Sequence, residues 1–299
     1  MSKYIDDKSF LSPELTQQGG HMILQNVKKP TKIKYLNIDT RFQGDYNLNK
    51  LATINYNLPQ KITEVKSIAV RSVEIPMSFH FFSLNRGNTF MKIDNSNVVI
   101  PNYSYTTSDN NLKTQLNSRF ISQISTNFTL DISANRTTIT NATNSTRNIY
   151  FDVDSSGGFN KYNFKSSLGW CLGYRLPEYS VLSGKSLVAE GLVDANPIRY
   201  LFLVVDEFRQ SNPNSFISPL YNGYISKNVL ARITLNSAIY PFGSILPANI
   251  FNGFLLSDQR YYSGKTDIQK LQIQLVDEWG IVVDLNQLDF SFCLEIECE

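Results

Sequence analysis

Apolar and polar residues alternate with a period of two along much of this chain, and this constrains the fold more than any other feature. The alternation is clearest near the C-terminal end, where one face of a predicted strand carries Leu288, Phe290, Phe292, Leu294 and Ile296. The other face carries Asp289, Ser291, Cys293, Glu295 and Glu297. Successive side chains of a strand point to opposite faces of its sheet, so one face of this strand is predicted to be core.

Similar alternation predicts further strands near residues 33–39, 52–58, 88–93, 128–132, 149–153, 229–235 and 271–275. A longer strand is predicted from Ile62 to Ile75, ending at Pro76 because proline has no N–H for the ladder. RYLFLVV (199–205) is apolar on both faces, which predicts a strand covered on both sides. The turn DEWG (277–280) predicts a hairpin leading into IVVDL.

One segment departs from the two-residue period and predicts a helix. Its apolar residues recur every four positions, at Leu112, Leu116, Phe120 and Ile124. Ser108 and Asp109 precede them, and either side chain can cap a helix N-terminus.

Many short strands, one short helix and no alternation of strands with helices predict an all-β antiparallel sandwich or barrel. Residues 1–30 lack either periodicity and are predicted to be an N-terminal arm, either a disordered tail or a tether to a neighbouring subunit. Residues 31–299 form the predicted β domain, with a long insertion near 160–197. The Asn- and Thr-rich segment NRTTITNATNST (135–146) is predicted to be a surface hairpin.

Net charge and composition limit the classes of partner that the protein can bind. The 28 Lys and Arg against 26 Asp and Glu give a net charge of +2, so we expect no nucleic-acid partner. No apolar run is long enough for a transmembrane segment, and the polar start MSKYIDDKSF lacks the apolar centre of a signal peptide. We therefore expect a soluble protein that is synthesised in the cytoplasm.

The three cysteines, Cys171, Cys293 and Cys298, are too few and too widely spaced for a disulfide framework. On one strand, Cys293 and Cys298 would lie on opposite faces and roughly 16 Å apart, too far for a disulfide. Reduced thiols are predicted.

The catalytic motifs that a chain of this size can carry are absent. There are two histidines, His21 in the arm and His80 in the aromatic segment PMSFHFF, and we predict a structural role for His80. The sequence has no HExxH, CxxC, Walker, dinucleotide-binding or GxSxG motif. No catalytic, cofactor-binding or metal-binding residue is predicted, and we expect the protein not to be an enzyme.

Two carboxylate pairs follow apolar strands, Asp206 with Glu207 and Asp277 with Glu278. Adjacent strand residues point to opposite faces, whereas a glycosidase needs two carboxyl groups converging at roughly 5–9.5 Å. Carboxylates from different strands keep a glycosidase open as a distant alternative.

A carbohydrate-binding β-sandwich module, serving host attachment, is the nearer alternative. Such modules stack sugars on exposed aromatic rings, and the candidates are Trp170, Trp279, Tyr261 and Tyr262. Trp170 lies in LGWCLGY, between glycines that allow close backbone approach, and this favours packing over sugar binding.

Several longer motifs, taken in order, resemble a known family. They are YLNIDTRF, LPQKITEVKSIAVRSVEIP followed by GNTFMKI, SSLGWCLGYR, RYLFLVVDEF, and RYYSGKTDIQKLQIQLVDEWGIVVDLNQLDFSFCLEIE. In order and spacing they resemble the minor capsid and penton-type proteins of nucleocytoplasmic large DNA viruses. The resemblance covers nearly everything after Pro30.

This resemblance implies a structural capsid protein with a jelly-roll fold, located in the virion shell. A single jelly-roll with insertions is expected, with a double jelly-roll as the alternative. We expect a penton protein at the fivefold vertices, or otherwise a minor capsid protein that cements the major capsid lattice. The implied partners are further copies in a homopentamer, the major capsid protein and other minor capsid proteins.

Contact surfaces are expected in residues 1–30, in the 160–197 insertion and in the aromatic loop Phe79, His80, Phe81 and Phe82. A plug at one end of the barrel is the alternative for the aromatic loop. Arg41 and Asp39 are predicted to hold a turn or a salt bridge between subunits. The acidic residues Glu295, Glu297 and Glu299 are predicted to form a solvated strand edge.

Overall fold

Strands dominate the fold. The computed structural model describes residues 13–18, 21–26, 30–42, 52–105, 111–195, 198–208, 217–220, 223–225 and 228–299. Within these residues every strand pairing is antiparallel. The predicted all-β antiparallel class is therefore confirmed.

The strands are β1 (Pro13–Gln18), β2 (His21–Asn26), β3 (Lys32–Asp39), β4 (Thr53–Pro76), β5 (Phe90–Ile93), β6 (Ser96–Val99), β7 (Phe128–Ser133), β8 (Arg136–Asn141), β9 (Arg147–Tyr150), β10 (Glu178–Val181), β11 (Lys185–Val188), β12 (Tyr200–Asp206), β13 (Ser218–Leu220), β14 (Gly223–Ile225), β15 (Val229–Thr234), β16 (Ile245–Asn249), β17 (Leu255–Ser257), β18 (Arg260–Asp277) and β19 (Ser291–Cys298). The helices are α1 (Asn111–Gln123) and α2 (Leu168–Cys171), and single 3-10 turns span Thr40–Phe42 and Lys161–Ser166. The predicted helix is α1, and its proposed caps Ser108 and Asp109 lie outside the described residues.

Eight strands form one curled sheet in the order β17, β15, β12, β18, β4, β19, β3, with β16 paired to β4. The described residues within 30–79 and 198–299 contain one large hydrophobic core, and we call this body the roll. Eight antiparallel strands around one core are the content of a single jelly-roll. The described residues contain no second eight-stranded sheet, as a double jelly-roll would require.

Two long strands, β4 and β18, make the roll curl. β4 pairs with β18 from Thr53 to Ile68, and its second half also pairs with β19 and β16. The β4–β18 register shifts repeatedly between Tyr261 and Lys270, and Glu64 has a positive φ of 57°. Register shifts of this kind bend a strand and increase its twist, so the sheet can curl around the core of the roll.

The core face of β19 follows the predicted alternation. Phe290, Phe292, Leu294 and Ile296 are all buried in the core of the roll. Leu288, predicted to lie on the same face, is 54% exposed. It precedes the strand, in the turn where Leu288 N–H bonds to Leu285 O, so the period of two does not extend to it.

The insertion is larger than predicted. Residues 81–195, which we call the insert, have their own core, made from strands β5–β11, helix α1 and helix α2. Residues 160–197 were predicted to be a long excursion, but they contain β10 and β11, which pair with β9 and β8. Gly, Ser and Pro scattered among apolar residues obscured these two short strands.

The Asn- and Thr-rich segment contributes to a hairpin, as predicted, whose turn is exposed and whose second strand buries alternate residues. β7 and β8 pair through a turn at Ala134 and Asn135, both with positive φ. β8 is the middle strand of the sheet β11–β8–β7, and Thr137 and Asn141 on it are fully buried. The Asn141 amide compensates for its burial by donating to Val181 O and Ser145 O.

β12 is covered on both faces, as its sequence predicts. Leu201, Leu203 and Val205 pack into the core of the roll. Phe202 and Val204 point the other way, into a small separate cluster with Val229 and Val276.

The acidic C-terminal residues do not form a strand edge, because β19 lies between β4 and β3. Glu295 is buried, and its carboxylate accepts hydrogen bonds from Arg71 Nε at 2.6 Å, from Arg71 Nη2 and from the Tyr35 hydroxyl at 3.2 Å. The hydrogen bonds from Arg71 lower the pKa of the Glu295 carboxyl. Asp39 and Arg41 pair with each other within the chain, next to the turn that follows β3.

Part of the predicted arm is described, namely β1 and β2, which pair as a two-stranded hairpin. No other described strand pairs with them. A tethering role for residues 1–30 stays a prediction.

Close backbone approach in LGWCLGY is confirmed. A Cβ on Gly169 would lie 2.1 Å from the ring of Phe151, and Gly173 has a φ of +96° with Gly191 O 2.5 Å from where its Cβ would be. The glycines in this segment therefore allow α2 to pack against the core of the insert.

We predict that Gly169→Ala destabilises the protein by about 1–3 kcal/mol, because the added methyl group overlaps the buried Phe151 ring. Urea unfolding followed by tryptophan fluorescence measures the change. Gly264→Ala is the control, because a Cβ at Gly264 has no atom within 4 Å, and it should leave stability unchanged. Equal effects of the two substitutions would contradict this account.

We also predict a pH-dependent loss of stability on Arg71→Met. The folded-state pKa of Glu295 lies below its ordinary value of 4.5, so the stability it contributes is present above that pH and is lost as the pH falls through the folded-state pKa. Removing Arg71 leaves the carboxylate buried without its cation, so its pKa rises. The difference in unfolding free energy between wild type and variant should be widest at pH 7 and should shrink below about pH 4.

The control for this prediction is Lys61→Met, whose exposed pair with Asp267 should contribute little at any pH. A constant difference between wild type and Arg71→Met from pH 7 to pH 3 would refute the role given to Glu295.

Candidate functional site

The aromatic loop is the connection from the roll to the insert. Phe79 is buried in the core of the roll and Phe82 in the core of the insert, while Phe81 packs against both. Phe79 and Phe82 are therefore unavailable to a neighbouring molecule. The loop neither forms a free contact surface nor plugs one end of the barrel; it joins two cores.

His80 lies at this connection between two aromatic rings. Its ring stacks on Phe242 of the roll at 5.1 Å and on Tyr103 of the insert at 6.0 Å. Burial lowers the pKa of the imidazole. His21, the other histidine, lies in β2. His80 is thus held by ring packing across the junction.

A buried ion pair holds the insert against the roll. Arg86 Nε of the insert lies 3.0 Å from Asp277 Oδ2, at the end of β18. The other oxygen of Asp277 accepts the N–H groups of Trp279 and Ile281 at 2.9 Å. Arg86 also donates to Phe81 O at 3.0 Å, with its guanidinium 4.9 Å from the Phe81 ring centre. The charges of Arg86 and Asp277 therefore both help to join the insert to the roll.

A small cleft, open to solvent, lies beside this ion pair. It is lined by residues that include His80, Ser83, Arg86, Asn102, Asp277 and Asn286. Several of its polar groups already have partners in the chain: the Asn286 amide donates to Ser78 O, and the Ser83 hydroxyl accepts the Arg86 N–H. The cleft therefore follows from the way the insert is held on the roll.

The two carboxylate pairs do not converge. Leu201 of β12 lies opposite Asp277 of β18, so Asp206 is five residues further along β12, roughly 17 Å away. Glu207 is buried and accepts hydrogen bonds from Arg260 Nη1 and from the Tyr262 hydroxyl at 2.8 Å. These four residues therefore lack the spacing of a glycosidase pair.

The four aromatic residues do not form a sugar platform. Tyr261 and Tyr262 are adjacent in β18 and point to opposite faces, and Tyr262 is bonded to Glu207. Trp279 follows the far end of β18, roughly 50 Å along the strand from Tyr262. The Trp170 ring lies in the insert with the Arg175 guanidinium 4.3 Å from its centre. The structure therefore gives no support to the carbohydrate-binding alternative.

A group of exposed apolar side chains in and around β16 was not predicted. We call it the apolar flank: Ile239, Phe242, Ile245, Ile250 and Phe251. Phe251 is 91% exposed at the tip of a turn held by Asn249 and Asn252. Along β16 the core residues Leu246 and Ala248 alternate with Ile245 and Pro247, which face solvent.

A sequence signal for the apolar flank exists. No charged residue occurs from Ile233 to Ser257, although the segment contains several aromatic and aliphatic residues. On a solvated surface such a stretch is unusual, because charged side chains are the usual cover of a monomer.

The cysteines are free thiols, as predicted. Burial raises the pKa of Cys171 to about 12, so this thiol is unreactive at neutral pH. Within the part of the chain that the structure describes, no cluster of three or more His, Cys, Asp or Glu side chains is arranged to hold a metal ion. The helices described there are also too short or too polar to cross a membrane.

No model of a known protein family matches this chain, and no curated protein matches it. Solved structures similar to it include the penton protein of mavirus, with 12% identity over 90% of this chain and 99% of that chain and a TM-score of 0.40. A chain of the Sputnik virophage is 14% identical over 90% of this chain and 98% of that chain, with a TM-score of 0.42.

We predict that Arg86→Met destabilises the protein by about 3–5 kcal/mol, because Asp277 then remains buried without its cation. Equilibrium unfolding in urea measures the loss. Lys113→Met, which breaks the exposed pair with Asp131, is the control and should change stability by less than about 1 kcal/mol. Similar small effects of both substitutions would show that the junction does not depend on the ion pair.

Proposed function

We propose that this protein is a structural capsid protein of a large icosahedral double-stranded DNA virus, acting as the penton protein at the fivefold vertices. A minor capsid protein that cements the major capsid lattice is the same function at another shell position. Its place is then the virion shell, after synthesis in the host cytoplasm. Its partners are further copies of itself, as a homopentamer, the major capsid protein and other minor capsid proteins.

The apolar flank is the observation that carries this proposal. Large side chains are exposed over residues 239–251, and the surrounding segment has no charge. Protein interfaces have this composition at their centres, where aromatic residues are enriched and charged residues are depleted. A monomer that works alone rarely leaves such a surface in water.

The insert offers further apolar contacts. Exposed large side chains occur within residues 160–197 at Leu176, Leu182, Val188 and Leu192. This segment is the one in which the sequence predicts contacts. A shell protein touches several neighbours, and closed symmetry multiplies each modest contact, so several separate apolar surfaces suit this role.

The charged groups at the sequence-predicted positions also favour assembly over catalysis. Asp277, Glu207 and Glu295 each have an arginine partner within the chain. These three ion pairs hold strands together and hold the insert on the roll, so the carboxylates have a structural role. The sequence motifs that resemble capsid and penton-type proteins agree with this use of the residues.

The native mass of the purified protein, measured by native mass spectrometry and light scattering over a concentration series, tests the proposal. We expect a pentamer that dissociates as the protein is diluted. Phe251→Lys should raise the concentration needed for assembly about tenfold or more, because a charge then enters an apolar contact. Ile121→Lys, at an exposed position on α1, is the matched control and should leave assembly unchanged.

The second readout is incorporation into shells when the protein is co-expressed with a major capsid protein. Phe251→Lys should reduce incorporation, and Ile121→Lys should not. A protein that stays monomeric at every concentration and is not taken up into shells would refute the capsid function.

A further inference from the structure

The edges of the sheet in the roll are not equivalent. β17 is only three residues long. On β16, Pro247 has no N–H, its carbonyl accepts from Asn252 Nδ2 at 2.5 Å, and the Asn252 Oδ1 accepts the Asn249 N–H at 3.1 Å. Short strands and prolines are the means by which proteins stop further strands from pairing with an edge. Both of these edges are therefore protected.

β3 is a different kind of edge. All eight of its residues, Lys32–Asp39, pair with β19 without a register shift, and it contains neither proline nor bulge. On its other side it pairs with no strand among those described. The side chains of its first four residues are exposed, with Ile33 57% and Tyr35 66% exposed. A long regular edge with exposed apolar side chains is a template for an added strand.

The chain carries a segment suited to this edge. The hairpin β1–β2, residues 13–26, contains strands of six residues each that pair with one another. A two-stranded hairpin is marginally stable in water unless it packs against something else. Its sequence has one charged residue that is always ionised at neutral pH, Glu14, and no Lys or Arg, whereas β3 presents Lys32 and Lys34. The charges of the two segments are therefore complementary.

The link between the hairpin and β3 favours docking on another subunit. Residues 27–31 connect Asn26 to Lys32, and Pro30 restricts the residue before it to an extended conformation. This restriction disfavours a helical reversal of the chain between the hairpin and β3. In agreement with this, β2 is not paired with β3 of its own chain.

We propose that the hairpin of residues 13–26 adds to the free edge of β3 in a second copy of this chain. The inference rests on the proposed function, because it names the contact by which capsid subunits join. Each copy donates one hairpin and receives one, so the contact is head-to-tail. A head-to-tail contact closes into a ring when its rotation allows, and strand exchange requires no new surface.

Hydrogen–deuterium exchange of the full-length protein tests the proposal. Peptides covering residues 32–39 are followed below and above the concentration at which the native mass rises. We expect exchange at the outward-facing amides of β3 to slow at least about tenfold on assembly, because these amides gain partners. Leu24→Pro, which removes a strand N–H from the hairpin in the full chain, should abolish this protection.

A pair of variants tests the receiving edge. Ile33→Glu removes an exposed apolar side chain from β3 and adds a negative charge that repels Glu14 of the hairpin, so it should weaken docking. Leu256→Glu, at a position 58% exposed on the protected edge β17, is the matched control and should not affect docking. Circular dichroism and urea unfolding establish that the variants are folded.

Each alternative result overturns the inference in a recognisable way. Protection of β3 that does not change with concentration would mean that the hairpin covers its own chain. Assembly without any protection of β3 would mean that other surfaces join the subunits, and the capsid function would stand. A persistent monomer with an unprotected β3 would remove the docking proposal, and the capsid function would fall with it only if the protein is also not taken up into shells.

Discussion

The pairing of β4 with β18 is the interaction on which the rest of the structure depends. Both strands are long enough to cross the whole roll, and the register shifts between them bend the sheet around its core. β19 and β16 are positioned on β4, β12 is positioned on β18, and β3 is positioned on β19. A disturbance of this one pairing therefore displaces every other strand of the roll.

The second body depends on the ends of the same two strands. β4 ends at Pro76 and leads directly into the aromatic loop, while β18 ends at Asp277, the partner of Arg86. The insert is thus held by ring packing around His80 and by a buried charge pair, and both contacts begin where the two central strands stop. Because Phe81 packs against both cores, the two bodies are expected to unfold together.

Charged and apolar side chains are placed differently in this protein. Arg86, Arg260 and Arg71 each form an ion pair with a carboxylate of the same chain. The apolar flank and the edge of β3 are left in water. In the assembly proposed above, burial of this remaining apolar surface would be the main source of the free energy of association.

The sequence by itself determined the antiparallel β class, the longer helix α1, the doubly covered strand β12 and the close packing at Gly169, because these follow from local period and residue size. It did not reveal that the insert begins at Phe81, that β19 is an internal strand, or that β8 lies between β7 and β11 in its sheet. Those features depend on which strands pair with one another. The two-residue alternation shows which face of a strand is apolar, but it does not show the strand's partners. The apolar flank and the open edge of β3 were decided by the tertiary structure for the same reason: exposure belongs to a residue only after its neighbours are in place.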